Sequence, residues 1–327
     1  MINLQDKHGR IKRKLRVSLT DRCNLRCPYC MPEHPEWLPK AQLLDNDELK
    51  RLLRLFIGEL GITQLRLTGG EPLLRPDLEQ FIVALQVLRE NGLQRISLTT
   101  NGLLLQQRAQ ALKAAGLDDL NVSLDTLDPA HFTRLSGGRG SLQQVLDGIV
   151  AAKAIDLPLK LNCVVIRGYN EDDILPLAHW AYEQNLPLRF IEFMPLDGRG
   201  SWSPERVVSE AEILQVLARD FRVEPQPRSH EPATYHLLNG RYQLGVISTI
   251  SQPFCASCDR LRLTADGELY SCLFSAKGRD LRTPLRADAT DEELLQIVRG
   301  HVWHKERGYA TQPGYVARPL TMHALGG

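Results

Sequence analysis

Between residues 15 and 194, short runs rich in Leu, Val, Ile and Thr alternate with longer stretches whose apolar residues step by three and four. The short runs at 15–20, 64–69, 95–100, 119–125, 160–166 and 187–194 are each bounded by Gly, Pro, Asp or Asn and predict six strands. The stretch 47–60 is typical of those between them, with Leu49, Leu52, Leu53, Leu55, Phe56 and Leu60 on one face of a predicted helix. Asp45 stands at its N-cap position, with Glu48 three residues on in capping-box spacing. Alternation of this kind implies a parallel sheet with right-handed crossovers.

Six such units suit either an open doubly wound sheet or an incomplete barrel, since a closed eight-stranded barrel needs two more units and about 250 residues. The unusual polar residues decide between them. They gather at the carboxyl ends of five predicted strands, at 20–30, 69–72, 99–102, 123–125 and Met194, which suggests one site ringed by strands. The expected fold is therefore α/β, an incomplete (β/α)6 TIM-like barrel. After Phe221 the rhythm breaks at Pro225, Pro227 and Pro232, and the expected division is a barrel over 1–224 and a C-terminal region over 225–327. That region predicts a hairpin at 235–249 turning at Asn239-Gly240 and another turning at Asp266-Gly267. It also predicts a helix at 290–304, begun by Thr290 and Glu293 in capping-box spacing.

Composition narrows the classes. The 327 residues carry 40 Lys and Arg against 39 Asp and Glu, a net charge of +1, which gives no global electrostatic reason for a nucleic-acid or membrane partner. No apolar run approaches a transmembrane span and no signal peptide is visible, so the expected location is cytoplasmic. A basic run, Lys7, Arg10, Lys12, Arg13 and Lys14, reads either as a solvated tail or as a phosphate attractor near Arg16.

The seven cysteines fall as two triads and a single. Cys163 alternates with Leu161 and Val165 and reads as a buried small hydrophobe. Cys23-x3-Cys27-x2-Cys30 sets three thiols in one loop after the first strand, able to hold three corners of a cubane cluster and leave the fourth iron open. His34 is in sequence a fourth ligand for zinc, but the spacing is unlike paired zinc knuckles. Cys255-x2-Cys258-x13-Cys272 is again three thiols without an obvious fourth ligand. By residue types alone it is equally a zinc ribbon short of one ligand or a second open cubane.

The stretch Cys-Asn-Leu-Arg-Cys-Pro-Tyr-Cys, followed one βα unit later by Gly69-Gly70-Glu71-Pro72, resembles the radical S-adenosylmethionine enzymes. With the second triad, its Arg260-x-Arg262 and a terminal Gly326-Gly327, the whole chain is similar to the GTP 3′,8-cyclase (MoaA) family of molybdenum cofactor biosynthesis. The resemblance implies two 4Fe-4S clusters, one on Cys23, Cys27 and Cys30 and one on Cys255, Cys258 and Cys272, the latter binding guanine. It implies S-adenosylmethionine at Tyr29, Gly69, Gly70, Glu71, Ser123 and Met194, with Thr99 beside either ligand. GTP is expected at Arg16, Arg66, Lys160, Arg260 and Arg262, and Gly326 and Gly327 in the catalytic site.

The implied reaction is the radical cyclisation of GTP to (8S)-3′,8-cyclo-7,8-dihydroguanosine 5′-triphosphate. An electron donor of reductase or flavodoxin type and, functionally, cyclic pyranopterin monophosphate synthase are the implied partners, and the chain is a monomer or homodimer. Rivals are a peptide-modifying maturase or anaerobic sulfatase activator, which typically spends more C-terminal cysteines, and a zinc-stabilised binding module, which neutral charge disfavours.

Overall fold

The structure, a computed structural model, describes residues 3–197, 200–229, 231–309 and 321–326. Twelve strands form one sheet: β1 (Lys14–Ser18), β2 (Gln64–Thr68), β3 (Arg95–Thr100), β4 (Asp119–Ser123), β5 (Leu159–Val165), β6 (Leu188–Glu192), β7 (Val223–Pro225), β8 (Thr234–Leu238), β9 (Tyr242–Ile247), β10 (Arg260–Leu263), β11 (Glu268–Tyr270) and β12 (Arg279–Asp280). Their order is β12-β11-β10-β1-β2-β3-β4-β5-β6-β9-β8-β7. The six expected βα units are present and pair in parallel in sequence order.

The sheet also runs on across the 224/225 boundary. β10 adds in parallel beside β1, and β9 adds in parallel beside β6, so eight consecutive strands are parallel. Antiparallel β11 and β12 then cover one edge, and β8 and β7 the other. Both expected hairpins exist, as β8–β9 and β10–β11. Asn239 and Gly240 have φ of 51° and 70°, the pair of left-handed residues that a type I′ turn requires.

Alternation along the strands sorts the side chains. Leu15, Val17, Leu65, Leu67, Ile96, Leu98, Leu120, Val122, Leu161 and Phe190 are at most 1% exposed and form the core beneath the helices. Their neighbours in sequence face the concave side. The expected helix at 47–60 is an α-helix over Asn46–Arg54 that widens into a π-helical segment over Leu55–Glu59. Three consecutive apolar residues of the widened segment, Leu55, Phe56 and Ile57, enter the core. The capping box of Asp45 with Glu48 forms as expected.

Candidate functional site

Register explains why the candidate cations meet. In a parallel sheet laterally paired residues point the same way, and the ladder sets Arg262, Arg16, Arg66, Ser97 and Asp119 in one row across β10, β1, β2, β3 and β4. Farther along, Thr99, Asn121 and Lys160 share a row, as do Ser123, Asn162 and Arg189. Both sets line a cavity of about 370 Å³ on the concave face. Cys23, Cys27, Tyr29, Cys30, Gly69, Gly70, Glu71, Met194, Cys255, Cys258, Arg260 and Cys272 border the same cavity. His34 is exposed and does not reach it.

The two triads stand at opposite ends of one strand pair. The 23–30 loop leaves the carboxyl end of β1. Cys255 and Cys258 precede Arg260, which pairs with Lys14 at the amino end of β1. Arg262 pairs with Tyr270 across the β10–β11 hairpin, so Cys272, two residues on, returns to the level of Arg260 beside Cys258. The thirteen-residue gap between these cysteines is thus a hairpin. The five residues of β1, roughly 17 Å at about 3.3 Å each, separate the loops.

At the first triad the Gly-Gly pair sets a close approach of backbones. Gly70 N donates to Thr20 O at 2.7 Å and Glu71 N to Arg22 O at 2.8 Å, tying the turn to the chain entering the cysteine loop. A Cβ on Gly70 would stand 2.3 Å from Arg22 O, and one on Gly69 (φ 147°) 2.4 Å from Thr20 O. Burial pushes the Glu71 carboxyl up to about 7, against three donors that favour its charge: Asn101 N, Leu73 N and Thr100 Oγ1. Its oxygens therefore hold the turn against β3. Tyr29 Oη donates to Asp125 Oδ2 at 2.5 Å, so a carboxylate past the end of β4 fixes the ring. Burial raises the Asp125 carboxyl to about 6 and the Cys23 thiol to about 11.

The cationic wall is poorly neutralised. Burial lowers Arg66 and Arg262 to about 10 and also lowers Arg16, Lys160 and Arg189, the neighbouring cations adding to the shift in all but Arg189. Arg66 lies 3.8 Å from Asp119, and its Nη1 is buried with no hydrogen-bond partner among the described residues. Such a wall suits a polyanion.

The basic N-terminal run is neither a solvated tail nor simply a phosphate attractor. Arg10 and Lys12 are buried, both pair with Asp6 at 2.7 Å, and they donate to the carbonyls of Cys255 and Cys258 at 2.8 Å. Lys14 lines the cavity. At Cys258 burial raises the thiol, but Arg260 and Lys305 outweigh it and bring it to about 6. Cys163 is buried as expected.

Residues 321–326 lie inside this assembly. The helix Met322–Leu325 is held by Met322 N on Leu196 O at 2.9 Å and His323 N on Cys30 O at 3.3 Å, and Leu325 packs with Leu196, Tyr270 and Phe274. Gly326 O accepts from Arg262 Nη1 at 2.7 Å, and Gly327 lies outside the described residues. Met194 and Cys272 pack against the same cluster.

Sequence reasoning passed over Arg189 and Lys305, and took Asn101 and Asp125 only as members of the polar strand ends at 99–102 and 123–125. Arg189 carried the same signal as Lys160, a cation alternating with apolar residues in a strand.

The thiols of the first triad stand near enough for the charge of Cys23 to raise Cys27 and Cys30. Yet among the described residues no three His, Cys, Asp or Glu side chains converge on one ion position. Three thiols in one loop are a donor set that can hold a cluster and leave one iron open.

The Radical SAM superfamily matches residues 17–181, and Molybdenum Cofactor Synthesis C matches residues 186–311. The GTP 3′,8-cyclase of Streptomyces coelicolor is 45% identical over 99% of this chain and 96% of its own length. That of Mycobacterium marinum is 46% identical over 99% and 92%. Among solved structures, Streptococcus suis SuiB bound to S-adenosylmethionine shares the fold at 15% identity and TM-score 0.59, over 88% of this chain and 69% of that one. The anSMEcpe protein with bound AdoMet and Cp18Cys peptide does so at 16% identity and TM-score 0.57, over 95% and 94%. By identity sustained along nearly its whole length, the chain belongs to the GTP 3′,8-cyclase family of the radical S-adenosylmethionine superfamily.

Proposed function

We infer that the protein is a GTP 3′,8-cyclase that carries out the first step of molybdenum cofactor biosynthesis with a 4Fe-4S cluster and S-adenosylmethionine. The observation that carries this reading is the single cavity bordered by both cysteine triads with the cationic wall between them. Cys23, Cys27 and Cys30 hold the first cluster, and Cys255, Cys258 and Cys272 a second. When bound, the first cluster and S-adenosylmethionine would supply the radical chemistry of hydrogen-atom removal.

The chain's own residues do the rest. Tyr29, braced by Asp125, packs on the adenine, while Gly69 and Gly70 bring bare backbone to the methionine end and Glu71 keeps that turn in place. Ser123 and Met194 flank the same ligand, and Thr99 stands where it meets the nucleotide. Arg16, Arg66, Lys160 and the added Arg189 receive the triphosphate, which offers the buried Arg66 Nη1 the acceptor it lacks among the described residues. Arg260 and Arg262 sit by the guanine end. Holding C3′ in van der Waals reach of the attacking carbon is the task of this wall, because a primary carbon radical abstracts from any close neighbour.

The barrel over 1–224 thus carries the radical chemistry, and the region 225–327 adds strands at both edges, the second triad and the tail. An external donor of reductase or flavodoxin type supplies the electron to a monomer or homodimer, and cyclic pyranopterin monophosphate synthase takes the product. No helix among the described residues is long and apolar enough to cross a membrane. The test is anaerobic incubation with GTP, S-adenosylmethionine and a reductant. Formation of the cyclic nucleotide together with methionine and 5′-deoxyadenosine is expected. Zinc without labile sulfide in anaerobically purified protein would overturn the reading.

A further inference from the structure

Behind the second triad lies a charge imbalance that the proposed reaction does not use. Arg10, Lys12 and Lys305 are all buried, at 8%, 0% and 3% exposure, and among the described residues Asp6 is the one carboxylate whose ion pairs reach the buried members of this group. Asp6 engages Arg10 and Lys12, each at 2.7 Å. Among the described residues Lys305 Nζ has one hydrogen-bond acceptor, Cys258 Sγ at 3.2 Å. A buried ammonium without a counterion costs several kcal/mol, and a neutral thiol is a weak acceptor. The arrangement makes physical sense when that sulfur carries the negative charge of a metal-bound thiolate.

The surroundings fix the ammonium in place. The helix Asp291–Trp303 buries Leu294, Leu295, Val298 and Val302, and Lys305 N caps its end on Val302 O at 3.1 Å. Lys12 Nζ donates to Cys258 O at 2.8 Å, so the N-terminal segment holds the same residue from its backbone side. The first triad is built differently. Among the described residues the hydrogen bonds reaching Cys23 Sγ come from neutral donors, Leu25 N at 3.4 Å and Asn101 Nδ2 at 3.9 Å, while the cation beside it, Arg26, donates to the Cys23 carbonyl at 2.9 Å.

We propose that Lys305, acting through Cys258, sets the reduction potential of the C-terminal cluster and holds it above the potential of the N-terminal one. An added electron makes a cluster more negative, and a cation hydrogen-bonded to a ligand sulfur stabilises the reduced form more than the oxidised form. Lys305 is a positioning and tuning residue that touches neither GTP nor S-adenosylmethionine.

The inference rests on the cluster reading of the second triad, and the test separates the two. Full-length protein with Cys23, Cys27 and Cys30 replaced by Ala loads only the second site, and its midpoint is read anaerobically by potentiometric titration with electron paramagnetic resonance. Zinc without sulfide in this parent overturns the cluster reading and the inference with it. In a parent that does carry a cluster, Lys305→Met is expected to move the midpoint to more negative potential and to change the reduced-state spectrum. Lys305→Arg, which keeps charge and donors, stays near the parent value, and Lys305→Gln, which keeps a donor alone, falls between. Should Lys305→Met fail to fold, Lys305→Gln gives the reading. A wild-type midpoint in both Met and Gln variants, or in Gln alone where Met does not fold, overturns the inference while leaving the cluster reading standing.

Discussion

Gly326 has a φ of 79°, and a Cβ there would stand 2.6 Å from Thr68 Cγ2. Alanine would therefore meet both left-handed strain of about 1–2 kcal/mol and a clash with a buried side chain. Because Gly326 O is also the partner of Arg262, the strain is relieved most readily by withdrawing the tail. Gly326→Ala is expected to fold, to keep its iron and still to cleave S-adenosylmethionine, while cyclic product falls about tenfold or more. Product formation at the wild-type rate would make the tail a bystander. Gly70 poses a different case, since its obstacle is Arg22 O, a backbone atom that cannot rotate aside. Gly70→Ala should cost about 1–3 kcal/mol in urea unfolding and loosen the first cysteine loop. An unchanged unfolding midpoint and full iron content would refute that.

Local chemistry written in the sequence survives at the level of the element, and long-range pairing does not. The capping boxes at Asp45 and Thr290 and the Asn239-Gly240 turn were legible because each depends on residues within a few positions. That β10 pairs with β1, some 245 residues earlier, leaves no local mark on Arg-Leu-Arg-Leu. The N-terminal segment shows the same limit. Its cations read as a solvated tail or a phosphate attractor until the fold brings the Cys255 and Cys258 carbonyls to them.

Burial raises the Asp6 carboxyl, but hydrogen bonds from Lys12 and Arg10 outweigh it and hold it at about 2 against an ordinary 3.8. A depressed carboxylate contributes stability above its unfolded value and loses it as pH falls through the folded one. Cluster-free protein should therefore lose urea resistance more steeply between pH 4 and 2 than an Asp6→Asn variant does. Parallel profiles would show that the ion pairs stabilise nothing.

At the scale of the whole molecule, the two triads were legible as motifs, whereas their separation was not, since it depends on which end of β1 each loop meets. That separation makes their functions divisible. The first loop is tied to the Gly69–Gly70 turn and to the ring bound by Asp125, and among the described residues none of these hydrogen-bonds to the 255–258 loop or Cys272. The second loop is held by Lys12, Arg10 and Lys305. Replacing Cys255, Cys258 and Cys272 together with Ser should accordingly remove about four of about eight irons. Reductive cleavage of S-adenosylmethionine should continue, because its machinery is intact, while the guanine loses its anchor and C3′ drifts from the attacking carbon. A displacement of even 1 Å costs about a hundredfold in rate, so cyclic product should become undetectable beside continuing 5′-deoxyadenosine formation. Loss of both products together would mean that the triads form one cooperative unit, and retention of cyclisation would reduce the second triad to a structural clasp.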